Sequence, residues 1–348
     1  MTEDFRYVNF SVLLADNRTA LMGISIVCIM LYHQNWFSTG LWTYVQLFGY
    51  IGVEVFLIIS GFGLAHSLEY NCLGQYYKNR FLRLFPACLV FGVIKVVMQF
   101  LPFVPKSNMF FLWDLLSISH WYIYAIIIYY IVAPLVNKAV KRWGWKPLVV
   151  VAVLSYGIVW LFAESDSMNY FVKYGRWVIK RFPVFVLGMT IAHRPLKLNV
   201  AVLIGFITLV LNLICFRYVV IANASPDIQT LPARWFTYLP NRTDIPDHGL
   251  YLLNMLSGLF LSWLFAVITR IFKFIHLLPV LTWLGSYSLE LYLCHQFIFK
   301  VVDKNIQLDP ICLAIISLII VLATALLIKQ IAPFLRSRLE RNVAVNRE

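Results

Sequence analysis

Met22-Gly-Ile-Ser-Ile-Val-Cys-Ile-Met-Leu-Tyr-His33 is apolar almost all round when it is wound as a helix, so it needs hydrocarbon or other apolar helices on every side. It lies within a longer run, Ala20 to Phe37, of the length of a membrane span. His33 is the exception in that run. An ionisable ring at membrane depth marks a functional site by default, and the competing reading is a ring near a helix end that snorkels to the interface or bonds a backbone carbonyl.

The rest of the chain has the same character. Of 348 residues, 61% are hydrophobic and 13% charged, and the mean hydropathy is +0.77. These values lie far outside the range of soluble domains and indicate an all-α, polytopic membrane protein. About ten spans are expected, near residues 19–37, 46–67, 84–103, 118–137, 147–163, 180–193, 199–222, 248–269, 278–301 and 310–333. With the amino terminus inside, the inner segments collect 18 Lys/Arg against 6 Asp/Glu and the outer ones 10 against 8. The net charge of +13 is therefore a positive-inside signal and not a nucleic-acid surface, and both termini are expected in the cytoplasm. The whole chain, 1–348, reads as one integral-membrane domain: a cytoplasmic segment 1–18, a bundle 19–333 with an external loop near 223–247, and a basic cytoplasmic tail 334–348.

Six cysteines include no CxxC pair, and five fall in apolar segments, which favours small buried side chains over disulfides or a metal site. The start of the chain lacks a basic n-region and cleavage site, so the first helix is expected to be retained. Neither a P-loop nor GxGxxG occurs, which removes ATP-driven transport through the usual phosphate cradle.

Between the second and third spans the chain reads Tyr76-Tyr-Lys-Asn-Arg80-Phe-Leu-Arg83-Leu-Phe-Pro86. Arg80 and Arg83 share a helix face at the cytoplasmic surface, either as interfacial anchors or as phosphate ligands. Trp121, at the mouth of the fourth span, suits the membrane interface. Lys173, Arg176, Lys180 and Arg181 fall on the outer side against the charge rule, so either the sixth span is misdrawn or these bases serve an anionic ligand. The loop Ile221 to His248 is longer than a connection needs and suits an acceptor site, a lid or a spacer.

The second span, Gly49-Tyr-Ile-Gly52-Val-Glu54-Val-Phe-Leu-Ile-Ile-Ser60-Gly61-Phe-Gly63, carries a carboxylate that needs a histidine or arginine partner, and glycines that admit close backbones. The ninth carries Glu290 and His295, five apart, so each is expected to meet a different helix. Four intramembrane ionisable groups on three spans, His33, Glu54, Glu290 and His295, favour a polar cavity, with Trp121 and Arg176 as lining candidates beside Glu290 and His295.

These stretches resemble the integral-membrane acyltransferase 3 family. The resemblance rests on Met22-Gly23 to His33, Gly52-Val-Glu-Val-Phe56 with Ser60-Gly61-Phe62, Arg80-Phe-Leu-Arg83-Leu-Phe-Pro86, His120-Trp121 to Tyr130 with Pro134, Phe185-Val-Leu-Gly188-Met189, and Gly285 to His295. It implies an O-acyltransferase that moves an acyl group, acetyl as the expected case, from acyl-CoA to a hydroxyl of a cell-surface carbohydrate or glycolipid precursor. It further implies His33 as general base or transient acyl carrier, Glu54 to orient or charge-balance that ring, and Arg80, Arg83 and Arg18 on the donor's phosphates. Acyl-CoA is then a co-substrate, with no tightly bound cofactor and no metal, in a multi-pass protein of the cytoplasmic membrane. One position departs from the pattern: where many members place an arginine eleven residues before the histidine, this chain has Met22, and Arg18 stands one turn further back. The competing class is a proton-coupled transporter or flippase of a polar or lipid-linked substrate.

Overall fold

Apolar segments must satisfy their own backbone hydrogen bonds in lipid, and in the computed structural model they do so as helices. The structure describes residues 9–34, 49, 51–101, 104, 116, 121–161, 170–224 and 245–345. Among these the elements are α1 (Phe10–His33), α2 (Ile51–Tyr70), α3 (Leu73–Met98), α4 (Trp121–Trp143), α5 (Lys146–Leu161), α6 (Tyr170–His193), α7 (Leu198–Ala224), α8 (Ile245–Phe274), α9 (Leu278–Ser286), α10 (Ser288–Asn305) and α11 (Pro310–Val345). Local chemistry sets several ends. Gly144, at φ 63°, supplies the left-handed residue that closes α4. Asp309 accepts from the Ile311 amide at 2.8 Å, with Pro310 as the first helical residue of α11. The Cys312 thiol and the Ile311 amide hold the Asp309 carboxyl below the usual carboxylate range, so it stays an ionised cap.

Six helices among the described residues are long and apolar enough to cross a membrane: α1, α2, α3, α4, Met255–Phe274 of α8 and Pro310–Arg341 of α11. The spans differ from the sequence reading in several places. The ninth is two helices, interrupted at Tyr287, whose amide turns back to Leu284 and Trp283 carbonyls. The sixth begins at Tyr170 and not near 180, which carries Arg176, Lys180 and Arg181 into α6. The third begins at Leu73, so Arg80 and Arg83 are part of α3 itself. The first begins at Phe10, inside the segment expected to precede it, and α11 extends through the expected tail to Val345. Most of the external loop, with Trp235, Tyr238 and Arg242, lies outside the described residues, as does His120.

The chain divides into two compact units. The first comprises residues 1–21, 54–69 and 131–276, and in it α8 packs on α7, α6 and α5, and α5 on α6. Here α2 and α6 approach through reciprocal glycines. A Cβ at Gly61 would meet the Phe185 carbonyl, and one at Gly188 the Ile58 carbonyl. Backbone cannot yield as a side chain can, so Gly188→Val is expected to cost about 1–3 kcal/mol. A lowered melting midpoint in detergent would show it; an unchanged midpoint would refute the close crossing. At one end of this unit Glu69 of α2 pairs with Lys141 of α4 at 2.5 Å, and His193 of α6 donates through Nε2 to Asn137 Oδ1 at 2.6 Å.

The second unit comprises residues 22–53, 70–130 and 277–348. Its α10 packs on α11, α3 and α9, and α3 on α11. The Cys294 thiol donates to the Val321 carbonyl at 3.5 Å, in keeping with a buried structural cysteine. Gly23 of α1 lies against the Leu281 carbonyl of α9, which brings the span carrying His33 to the broken one.

Candidate active site

In the second unit the two expected histidines meet. His33, the last residue of α1, has Nδ1 2.9 Å from the Ile29 carbonyl and 3.3 Å from Nε2 of His295 on α10. His295 is 1% exposed, and its Nδ1 lies 3.0 Å from the Leu291 carbonyl. Rings enclose the pair: Tyr32 edge-on to His33, and Tyr292 and Phe299 edge-on to His295. Trp121 joins at one remove, edge-on to Tyr122, which tilts against Tyr292 at 4.8 Å. The histidine at the end of the first span thus does bond a backbone carbonyl, as the bland reading asked, and also touches a second ionisable ring. A side chain that merely snorkels makes only the first contact.

At the start of α10, before His295, a half-open cavity of about 350 Å³ is lined by Arg83 and Leu82 of α3, Leu289 and Glu290 of α10, and Lys329 and Arg336 of α11, among others. Three cations and one carboxylate border it. Lys329 donates to the Ser286 carbonyl at 2.9 Å, lies 3.6 Å from Glu290 Oε1 and sits over the Tyr287 ring. The break at Tyr287 explains this contact, because ending α9 at Ser286 frees carbonyls that an unbroken helix would use. Arg336 is held by Glu340 at 3.1 Å. Arg83 makes no hydrogen bond or ion pair among the described residues. Arg80, one turn earlier, lies instead over the rings of Tyr76 and Tyr130. The structure therefore separates two arginines that the sequence treats alike: Arg83 opens on the cavity and Arg80 is packed among tyrosines. Lys329 and Arg336 were missed in the sequence. Lys329 had a signal, a lone cation in the apolar run Leu326-Leu-Ile-Lys329-Gln-Ile331.

The first unit holds the other carboxylate. Glu54 is 0% exposed, and Arg181 of α6, at 6%, donates from Nε to Oε1 at 3.2 Å. Gly258 of α8 covers the stem of Glu54. Oε2 is buried with no hydrogen-bond partner among the described residues. A buried carboxylate is tolerated only when it is paired, and a basic residue counted with the outer side, at the edge of the expected sixth span, supplies the pair. Arg176 stands five residues earlier on α6, half-buried. Arg18 runs along Gly63 of α2 in the same unit, where a methyl group would have to displace its guanidinium. Groups of three or more His, Cys, Asp or Glu that could hold a metal are absent among the described residues.

No curated protein and no solved structure matches this chain. The family profile described as Acyltransferase domain matches residues 20–330, and it runs through both units. With nearly the whole chain matched, and the helix carrying His33 inside the match, this is a multi-pass membrane protein that belongs to the acyltransferase 3 family.

Proposed function

We propose that this acyltransferase moves an acyl group, acetyl in the expected case, from acyl-CoA to a hydroxyl of a cell-surface carbohydrate or glycolipid precursor. The observation that carries the reading is the course of α10. Leu289 and Glu290 border the cationic cavity, and His295, five residues beyond Glu290 and so ~7.5 Å along the helix, touches His33. One helix thereby joins a phosphate-binding cavity to a general base. Arg83, Lys329 and Arg336 take the donor's phosphates, as paired cations do, and His33 removes the acceptor's hydroxyl proton as that oxygen attacks the thioester carbonyl. The thiolate of coenzyme A leaves and takes up the proton. Trp121 belongs to the aromatic wall, Arg80 steadies the segment that carries Arg83, and Arg18 and Arg176 provide positive charge in the first unit. Glu54 is required for activity as the carboxylate of that unit, with Oε2 still open to accept.

The contacts support ten spans with both termini in the cytoplasm. In that arrangement Glu69, Lys141 and His193 all fall on the inner side, and they form one cluster. His33 and His295 both fall toward the outer ends of outward-running spans, and they touch. Such a protein sits in the cytoplasmic membrane, with the donor cavity inside and the histidines nearer the outside.

The test uses membranes containing the full chain and acetyl-CoA labelled in its acetyl group. Label should appear in surface carbohydrate or glycolipid as free coenzyme A is released. Arg83→Ala should raise KM for acetyl-CoA roughly tenfold to a hundredfold with kcat little changed, since a charge-assisted contact is worth roughly 1.5–3 kcal/mol. The open Oε2 of Glu54 also suits a proton-relaying transporter. Substrate movement that follows the proton gradient, without release of coenzyme A, would establish that alternative in place of acyl transfer.

A further inference from the structure

The hydrogen-bond partners of the two histidines fix where their protons are. A backbone carbonyl can only accept, so Nδ1 of His33 carries the hydrogen given to Ile29, and Nδ1 of His295 the hydrogen given to Leu291. In the neutral rings both Nε2 atoms are then bare. The bare Nε2 of His295 is the atom 3.3 Å from Nδ1 of His33, with the rings 67° apart. His33 Nδ1–H is therefore shared between the Ile29 carbonyl and His295 Nε2, and among the described residues His33 Nε2 keeps its lone pair for a substrate.

We propose that His295 is the positioning residue for His33: it fixes the tautomer that presents Nε2 to the acceptor hydroxyl and receives the Nδ1–H bond that strengthens as His33 becomes imidazolium. The assignment rests on the acyl-transfer reading above. In base–orienter pairs that place is usually held by a carboxylate. Here a neutral ring holds it. His295 is 1% exposed, and a carboxylate in the same surroundings would have to be desolvated, whereas a neutral imidazole is not charged at rest. When His33 takes the hydroxyl proton on Nε2, its positive charge is spread toward His295 through one hydrogen bond. When His33 gives that proton to the leaving thiolate, the bond returns to its resting strength, so protons balance over the cycle. Among the described residues, the titratable and charged groups that face the pair include Tyr32 on α1 and Tyr292 and Lys300 on α10, with Lys300 near enough to act on His33.

The test replaces His295 in two ways in the full chain in lipid nanodiscs. His295→Phe keeps the ring and removes the acceptor; His295→Gln restores an acceptor oxygen near the position of Nε2. The first readout is the ring-15N spectrum of histidine-labelled protein across pH, with His33 assigned by its loss in His33→Ala. His295→Phe should move the His33 titration to lower pH and relax its tautomer preference, and His295→Gln should return both toward wild type. The second readout is turnover of labelled acetyl-CoA in membranes. His295→Phe should lower kcat roughly tenfold to a hundredfold with KM unchanged, and shift the acid limb in the same direction. An unmoved His33 titration in His295→Phe, or equal impairment of the Phe and Gln variants, overturns the assignment. Because the spectrum needs no turnover, it tells loss of the pairing apart from failure of the acyl-transfer reading, which an active His33→Ala would show.

Discussion

His33→Ala is expected to insert and fold as wild type yet lose acyl transfer by ~10²–10⁴-fold, the contribution of a positioned general base. The variant should fold because the side chain ends α1 and is bordered mainly by other rings, so its removal leaves a space beside Tyr32 and His295 and no orphaned charge. Its donor Nδ1 goes with it, and the Ile29 carbonyl that received it keeps its ordinary place near a helix end. KM for acetyl-CoA should hold, because the donor's phosphates are assigned to Arg83, Lys329 and Arg336. Turnover of labelled acetyl-CoA at equal amounts of folded protein checks this. Activity within a few-fold of wild type would remove His33 from the mechanism, and a loss of both folded protein and donor binding would make it structural.

Glu54→Ala should act in the opposite sense, on the fold first. With Glu54 fully buried and Arg181 nearly so, removing the carboxylate takes from a buried guanidinium the oxygen to which its Nε donates, at a cost of about 3–5 kcal/mol. That is a large share of the stability of most proteins, so little folded protein should be recovered. The double variant Glu54→Leu/Arg181→Met removes both charges and restores apolar volume, and it should recover most of the lost stability. If Glu54 also serves the reaction, the recovered protein remains inactive. Thermal midpoints of the single and double variants, read beside turnover, separate the two roles. Equal destabilisation in single and double variants would show that the pair is not the source of the effect.

The class of the protein was legible because composition and span length are local properties that the bilayer selects directly. The need for a partner at Glu54 was legible too, but its identity was not. Arg181 stood at the very edge of a span drawn from residue 180 and so was counted with the outer side; starting α6 at Tyr170 puts it more than ten residues into the helix, where it is buried. The break at Tyr287 escaped because Ser286-Tyr-Ser288 is mild in hydropathy, and Gly285 just before it reads equally well as a small residue inside one continuous span. The meeting of His33 and His295 could not be read at all, since it joins positions 262 apart and periodicity speaks only of one helix at a time. The sequence showed two suspicious rings; that they are suspicious together is a property of packing.

That same break bears on how the protein is made. At nine residues α9 is ~13.5 Å long, under half of the ~30 Å hydrocarbon core, and α10 is not among the helices apolar enough to cross unaided. Neither piece is a signal that an insertion machinery would accept by itself. Helices α3 and α11, both apolar enough to insert, pack on α10 and give its buried Glu290 and His295 a protein surround in place of lipid. The segment that carries half of the histidine pair is therefore expected to settle in the membrane only once both α3 and α11 are there to pack against it, so that the two rings meet after synthesis has passed α11.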